Sequence, residues 1–294
     1  MHFLICCILS STGIFLVFRF IEKYRVPAFP VILINYLMAT ILGFALNPGN
    51  HGFTAIRSKE WLPSSVIIGI LFIVMFLLVA RSTNRAGISV TTVASKMSVL
   101  FPILYSLAID PSDQVTLLKV AAFACTLAGV GLTVFKPRED RPDRSVMYIP
   151  LLLFLGMGMV DSLVKHAQHY HVKDADTALF SAVLFMNAFA AGLLVLLFQR
   201  KYLSWFRKPV TWIWGILLGA VNFGSIFFLV SALNYHSPAG RGLDSSVIFG
   251  VNNTGIVALS VLAGLFIFRE RLFAINWAGV ALSAVALILF ALCG

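Results

Sequence analysis

The sequence predicts an all-α membrane protein of ten transmembrane helices, arranged as two inverted five-helix repeats. Three observations carry that expectation. Of 294 residues, 60% are hydrophobic and only 12% charged, with a mean hydropathy of +0.94. An average soluble domain carries about 25% charged residues, so too little polar surface is present here to cover a globule in water. Ten apolar runs recur along the chain, each close to the roughly 20 residues that cross a bilayer. A basic segment, KPREDRPDR over 136–144, falls midway and leaves five runs on either side.

The first run, 3–20, has the apolar length of a secretion signal but neither a basic stretch before it nor an Ala-x-Ala cleavage site after it. It is expected to stay in place as the first helix. Runs follow at 28–46, 62–80, 86–109 and 115–135, completing a first repeat over 1–135. The linker occupies 136–146. Runs at 147–166, 177–198, 210–233, 245–268 and 272–293 make a second repeat over 147–294. Five crossings reverse the direction in which the chain enters the membrane, so the second repeat is expected to be inverted relative to the first. Residues 86–135 align without a gap to 243–292, matching runs four and five to runs nine and ten and setting Lys96 opposite Asn253. Small residues at short spacing, Gly215 with Gly219 and Gly129 with Gly131, are expected where helices approach closely.

The chain has 22 Lys and Arg against 12 Asp and Glu, a net charge of +10. In a soluble protein this would suggest nucleic acid. Here the charges sit in the gaps between apolar runs, where they meet anionic lipid headgroups and set orientation, and no nucleic-acid partner is expected. Loops after odd-numbered runs hold fifteen Lys and Arg. Those after even-numbered runs hold six, Arg57, Lys59, Lys119, Lys165, Lys173 and Arg241. The excess places the odd loops in the cytoplasm and both termini outside a plasma (bacterial inner) membrane. The four cysteines, Cys6, Cys7, Cys125 and Cys293, lie in apolar runs without pairing or metal-ligand spacing, and read as small buried hydrophobes.

An ionisable group at mid-membrane is costly unless paired or facing water, which makes it a candidate for function. Lys96 lies about ten residues into run four, roughly 15 Å along a helix, with Thr92 and Ser95 offering hydroxyls beside it. It either binds an anionic group or locks two helices together through a carboxylate. Asp161 in run six pairs with Lys165 at i+4 on its own helix, or reaches Lys96, where its protonation would couple proton movement to opening. Asn187, Asn222 and Asn253 put amides near mid-depth, as substrate contacts or as ties between helices. His166, His169 and His171 lack the Cys or acidic partners of a metal site, and neither metal nor cofactor is expected. Gly240-Arg241-Gly242 is not followed by the Lys-Ser/Thr pair of a phosphate loop and reads as a flexible loop.

Two stretches resemble a known family. FRERLFAINWAGVALSAVALILF, residues 268–290, is similar to the close of the drug/metabolite transporter superfamily's ten-helix EamA-type members, with Glu270 on the family's Glu. ISVTTVASKMSVLFPIL, residues 88–104, resembles the family's small-residue fourth helix running into a Pro, here Pro102. The chain departs from the family in carrying Lys96 in that helix and Asp110-Pro111-Ser112-Asp113 after it, and in its charge bias, since members commonly keep both termini in the cytoplasm. The resemblance implies a secondary transporter, not an enzyme. It would move a small polar or anionic, amino-acid-like metabolite by alternating access, driven by an ion gradient or by exchange, with membrane lipids around it and monomer or homodimer left open. A membrane enzyme or flippase acting on a lipid-linked substrate is the alternative; the loops carry no paired carboxylates or His/Asp set for such chemistry.

Overall fold

The computed structural model describes residues 2–47, 56–86, 94–111, 113–134, 148–235, 243–268 and 273–293, among which no β-strand occurs. Helices α1 (His2–Lys23), α2 (Ala28–Ala45) and α3 (Leu62–Ala86) are followed by a short helical piece, α4 (94–97), and by α5 (Leu100–Ile109) and α6 (Leu117–Val134). Then come α7 (Tyr148–Tyr170), α8 (Thr177–Phe198), α9 (Pro209–Asn234), α10 (Ser245–Phe268) and α11 (Ala274–Ala291). Two 3-10 segments, η1 (Asp174–Asp176) and η2 (Arg200–Arg207), lie in the connections.

Eight of these helices are long and apolar enough to cross a membrane: α1, α2, α3, α7, α8, α9, α10 and α11. That composition is compatible with a multi-pass membrane protein. Helices α8 and α10 coincide with the expected spans at 177–198 and 245–268. The fourth and fifth runs fall short of full spans, as Ala94–Ile109 and Leu117–Thr133. The fifth starts later than expected because Thr116 caps it: the Lys119 N–H donates to Thr116 Oγ1 at 3.2 Å and the Val120 N–H to the Thr116 carbonyl at 3.0 Å, satisfying donors that a helix start leaves open. Thr92, Glu270, the linker 136–146 and the Gly240-Arg241-Gly242 loop lie outside the described residues.

The chain forms two compact units. Unit one comprises Met1–Val74 and Leu163–Asn234, and unit two Met75–Ser162 and Tyr235–Gly294. Each draws on residues from both sides of the linker, and α3 and α7 each contribute one part to either unit. In unit one α9 packs against α1 and α2, and α2 against α8. A Cβ added to Gly219 would lie 2.8 Å from the Asn35 carbonyl, and one added to Gly43 2.6 Å from Ala182 Cβ; the absence of side chains at these places lets the backbones close up.

Unit two is built on the crossing of α6 and α11, with α10 packed against both. A Cβ on Gly129 would fall 2.7 Å from Ser283 Oγ, and one on Gly279 would overlap the backbone nitrogen and hydroxyl of Thr133. Asn276 joins the two helices at one end. It accepts from the Phe273 N–H at 2.9 Å and donates to the carbonyls of Leu132 and Thr133 at 3.2 and 3.0 Å, meeting groups that both helix ends leave open. Gly131, expected to share the close approach, faces open space. Gly279→Ala is therefore expected to destabilise the protein by about 1–3 kcal/mol through overpacking, whereas Gly131→Ala is neutral or stabilising; thermal melts of both variants in detergent check the contrast.

Candidate functional site

The fourth run is broken beside its one charge. Pro102 has no N–H to give, and its ring crowds the carbonyl four residues earlier, which belongs to Ser98. The helix is interrupted at 98–99, where the backbone bonds tighten to a spacing of three: the Phe101 N–H donates to the Ser98 carbonyl at 3.0 Å and the Val99 N–H to the Lys96 carbonyl at 3.4 Å. Ser98 Oγ donates to the Ser95 carbonyl at 2.6 Å. Non-α backbone thus flanks Lys96, and Ser95 and Lys96 are both partly buried.

Helix α7 carries Asp161 to the same unit. Gly158, one turn earlier, makes room for the Phe101 ring, and Phe101 meets Phe154 edge-on at 5.0 Å between ring centres. The Asp161 carboxylate lies in the field of the Lys96 ammonium and accepts no hydrogen bond among the described residues. It stands nine residues from Tyr170 and thirteen from Tyr148, about 14 and 20 Å along the helix, so it lies well inside α7 from either end. On α10, Asn253 is buried with no hydrogen bond among the described residues. Its neighbour Thr254 shares a hydrogen bond with Thr126 of α6 at 2.9 Å and donates to the Gly250 carbonyl at 2.7 Å. Unlike the fourth run, α10 passes its matching position as a continuous helix.

The other two amides belong to unit one and are spent on ties between helices. Asn222 Nδ2 donates to Asn35 Oδ1 at 3.0 Å, both groups buried, and Asn187 Nδ2 donates to Ser65 Oγ at 3.4 Å. Lys165, 1% exposed, donates to Gln168 Oε1 at 3.0 Å, and Gln168 Nε2 donates to Asn234 Oδ1 at 2.7 Å. The three histidines engage Tyr170 and Glu60: the His166 and His169 rings lie 4.9 and 4.7 Å from the Tyr170 ring, and His171 Nδ1 lies 3.1 Å from Glu60 Oε2.

A second charged cluster in unit two went unremarked in the sequence. Lys119, 2% exposed, donates to Asp113 Oδ1 at 2.7 Å, to Asp244 Oδ2 at 2.5 Å and to the Gln114 carbonyl at 2.8 Å. Asp113, 3% exposed, also accepts from Ser106 Oγ at 3.0 Å, and from the N–H and hydroxyl of Ser246 at 2.8 and 2.6 Å. The carboxylate therefore caps the first turn of α10 from another loop. Burial pushes the Asp113 carboxyl up, but the Lys119 ammonium and the donors from Ser246 and Ser106 outweigh it and hold the group below its ordinary value. The available signal was the order Asp113, Lys119 and Asp244: two acids just outside apolar runs and a lysine just inside one. Counting Lys119 as a loop charge hides its contact across 125 residues.

No protein-family model matches the chain. A protein of Haemophilus influenzae (strain ATCC 51907 / DSM 11121 / KW20 / Rd), described as uncharacterized, is 28% identical over 296 residues, covering 98% of this chain and 96% of its own. A solved structure described only as the crystal structure of a protein superposes with a TM-score of 0.71 at 14% identity, covering 99% of this chain and 96% of that one. The likeness extends over the whole chain and concerns the fold.

Proposed function

We propose that this chain is a secondary transporter of the drug/metabolite type, moving a small carboxylate-bearing metabolite across the plasma membrane through a site in unit two. The observation that carries the reading is the interrupted fourth run with Lys96 on its broken side and the Asp161 carboxylate within its field. Helices broken at mid-membrane free backbone groups for a ligand, and transporters use them to bind solutes and coupling ions. An ammonium there selects a carboxylate or phosphate, and Asn253 supplies an amide to orient it. Ser95 and, outside the described residues, Thr92 complete the proposed contacts and Glu270 the family pattern, whereas Asn187 and Asn222, expected among the contacts, stay with the ties inside unit one.

In this reading the short segments Ala94–Ile109 and Leu117–Thr133 also cross, giving ten spans in two inverted repeats. Their sixteen and seventeen residues rise about 24 and 26 Å, a mismatch that local thinning of the bilayer absorbs at small cost. Both termini lie outside, and Asp161 carries the coupling proton.

Proteoliposomes loaded with a pooled library of amino acids and other carboxylates test the proposal: at least one solute is expected to leave faster than from equally loaded vesicles without the protein. If none moves under any ion gradient, the proposal fails. Asp161→Asn is expected to leave exchange intact while removing the acceleration given by a pH gradient. Equal acceleration in both proteins would remove the proton from Asp161.

A further inference from the structure

One end of unit one carries basic charge and aromatic rings in an order that loop solubility does not require. Lys23 and Arg25 close α1. Arg200, Lys201, Arg207 and Lys208 lie on and just after η2, between α8 and α9. All six are exposed, none is ion-paired among the described residues, and the nearest carboxylate in sequence is Glu22 alone. The opposite end of the same unit differs: Lys59 meets both carboxylate oxygens of Asp176 at 2.8 and 2.9 Å, and His171 meets Glu60.

The basic end is held in shape. A 3-10 helix of eight residues is long for its kind, since such runs rarely exceed four. Tyr202 packs on the buried Phe29 ring at 5.3 Å, and Trp212 Nε1 donates to the Phe206 carbonyl at 2.9 Å. Phe20 and Tyr24 both stack on Trp214, bringing the end of α1 to the start of α9. At three residues per turn, Lys201, Ser204 and Arg207 align in one polar row. Tyr202, Trp205 and Lys208 align in another, where the Lys208 ammonium sits 3.5 Å from the centre of the Trp205 ring. Leu203 and Phe198 remain exposed beside these rows.

Arg25 strengthens the case. It terminates α1 in the left-handed region at φ 54, with the Val26 N–H closing on the Ile21 carbonyl at 2.8 Å, a position that favours glycine. A guanidinium stands at this backbone position, where glycine would be less strained.

We propose that this end of unit one is a docking collar for anionic phospholipid headgroups, with the basic rows on the phosphates, the rings at headgroup depth and Leu203 and Phe198 among the acyl chains. The charge complementarity selects phosphatidylglycerol over phosphatidylcholine. Full-length protein from mixed vesicles of the two lipids, analysed by native mass spectrometry, is expected to retain the anionic lipid several-fold over its share of the mixture, and less in high salt. The variant Arg200→Gln/Lys201→Gln/Arg207→Gln/Lys208→Gln loses the preference, by up to about fivefold per charge, while Lys59→Gln/Lys173→Gln at the other end keeps it. Arg25→Gly relieves the left-handed strain, so it is expected to melt no lower than the parent while its preference falls. Equal retention of the two lipids by the parent protein, or an unchanged preference in both collar variants, would overturn the proposal.

Discussion

Lys96→Met is expected to reduce solute movement in proteoliposomes about 10- to 100-fold while leaving the protein folded. The estimate follows from losing a charge-assisted hydrogen bond to the solute, worth about 1.5–3 kcal/mol. Two physical roles for this ammonium make opposite forecasts. If it clasps Asp161 to hold helices together, removing it strands a carboxylate inside the protein and costs about 3–5 kcal/mol. Lys96→Met/Asp161→Leu, which removes both charges, would then recover stability and activity together. If Lys96 instead receives the solute, the double variant is stable and still inactive, because no cation is left to bind. Melting temperature in detergent and transport in vesicles, measured on the same preparations, separate the two. Lys96→Arg adds a further check: it keeps the charge but moves the donors outward on a planar fork, so a partial recovery of transport with a changed choice among carboxylates is expected.

The eight long apolar helices were legible because they depend on composition and run length, which a single sequence displays directly. Helix boundaries followed where charge or proline marks them: Thr177 and Ser245 open helices at the expected residues. What stayed hidden depends on pairs far apart in sequence. Asn222 and Asn187 could be singled out as buried amides, but nothing local shows that Asn35 and Ser65 would receive them. Lys165 reads as a loop-proximal charge and is among the most buried side chains of unit one. Pro102 was visible as a family-like feature, yet its effect lies four residues upstream, at the Ser98 carbonyl, and therefore beside Lys96. Gly129 and Gly131 look alike as letters. Only the approach of α11 distinguishes them, since it comes to one face of α6.

Lys119→Met is expected to be the most damaging single change to stability, at about 3–5 kcal/mol. It would leave Asp113, whose side chain is fully buried, and Asp244, at 29% exposure, without the cation that both contact. Adding Asp113→Asn to this variant is expected to recover part of the loss, because the amide is neutral yet still offers an oxygen to the Ser246 N–H at the start of α10. A coupling of about 1–3 kcal/mol between the two positions is in the range for groups in one network. Asp244→Asn alone costs less, because that carboxylate is partly hydrated. The same cluster predicts how the parent protein responds to acid. A carboxyl held below its ordinary value stabilises the fold at every pH above the ordinary carboxylate range, and that contribution is lost as pH falls through its lowered folded value. The melting temperature should therefore decline below about pH 4, with a smaller decline in Asp113→Asn, whose amide has no proton to take up. Equal acid sensitivity in the two proteins would mean that Asp113 does not link protonation to the hold between the α5–α6 loop and α10.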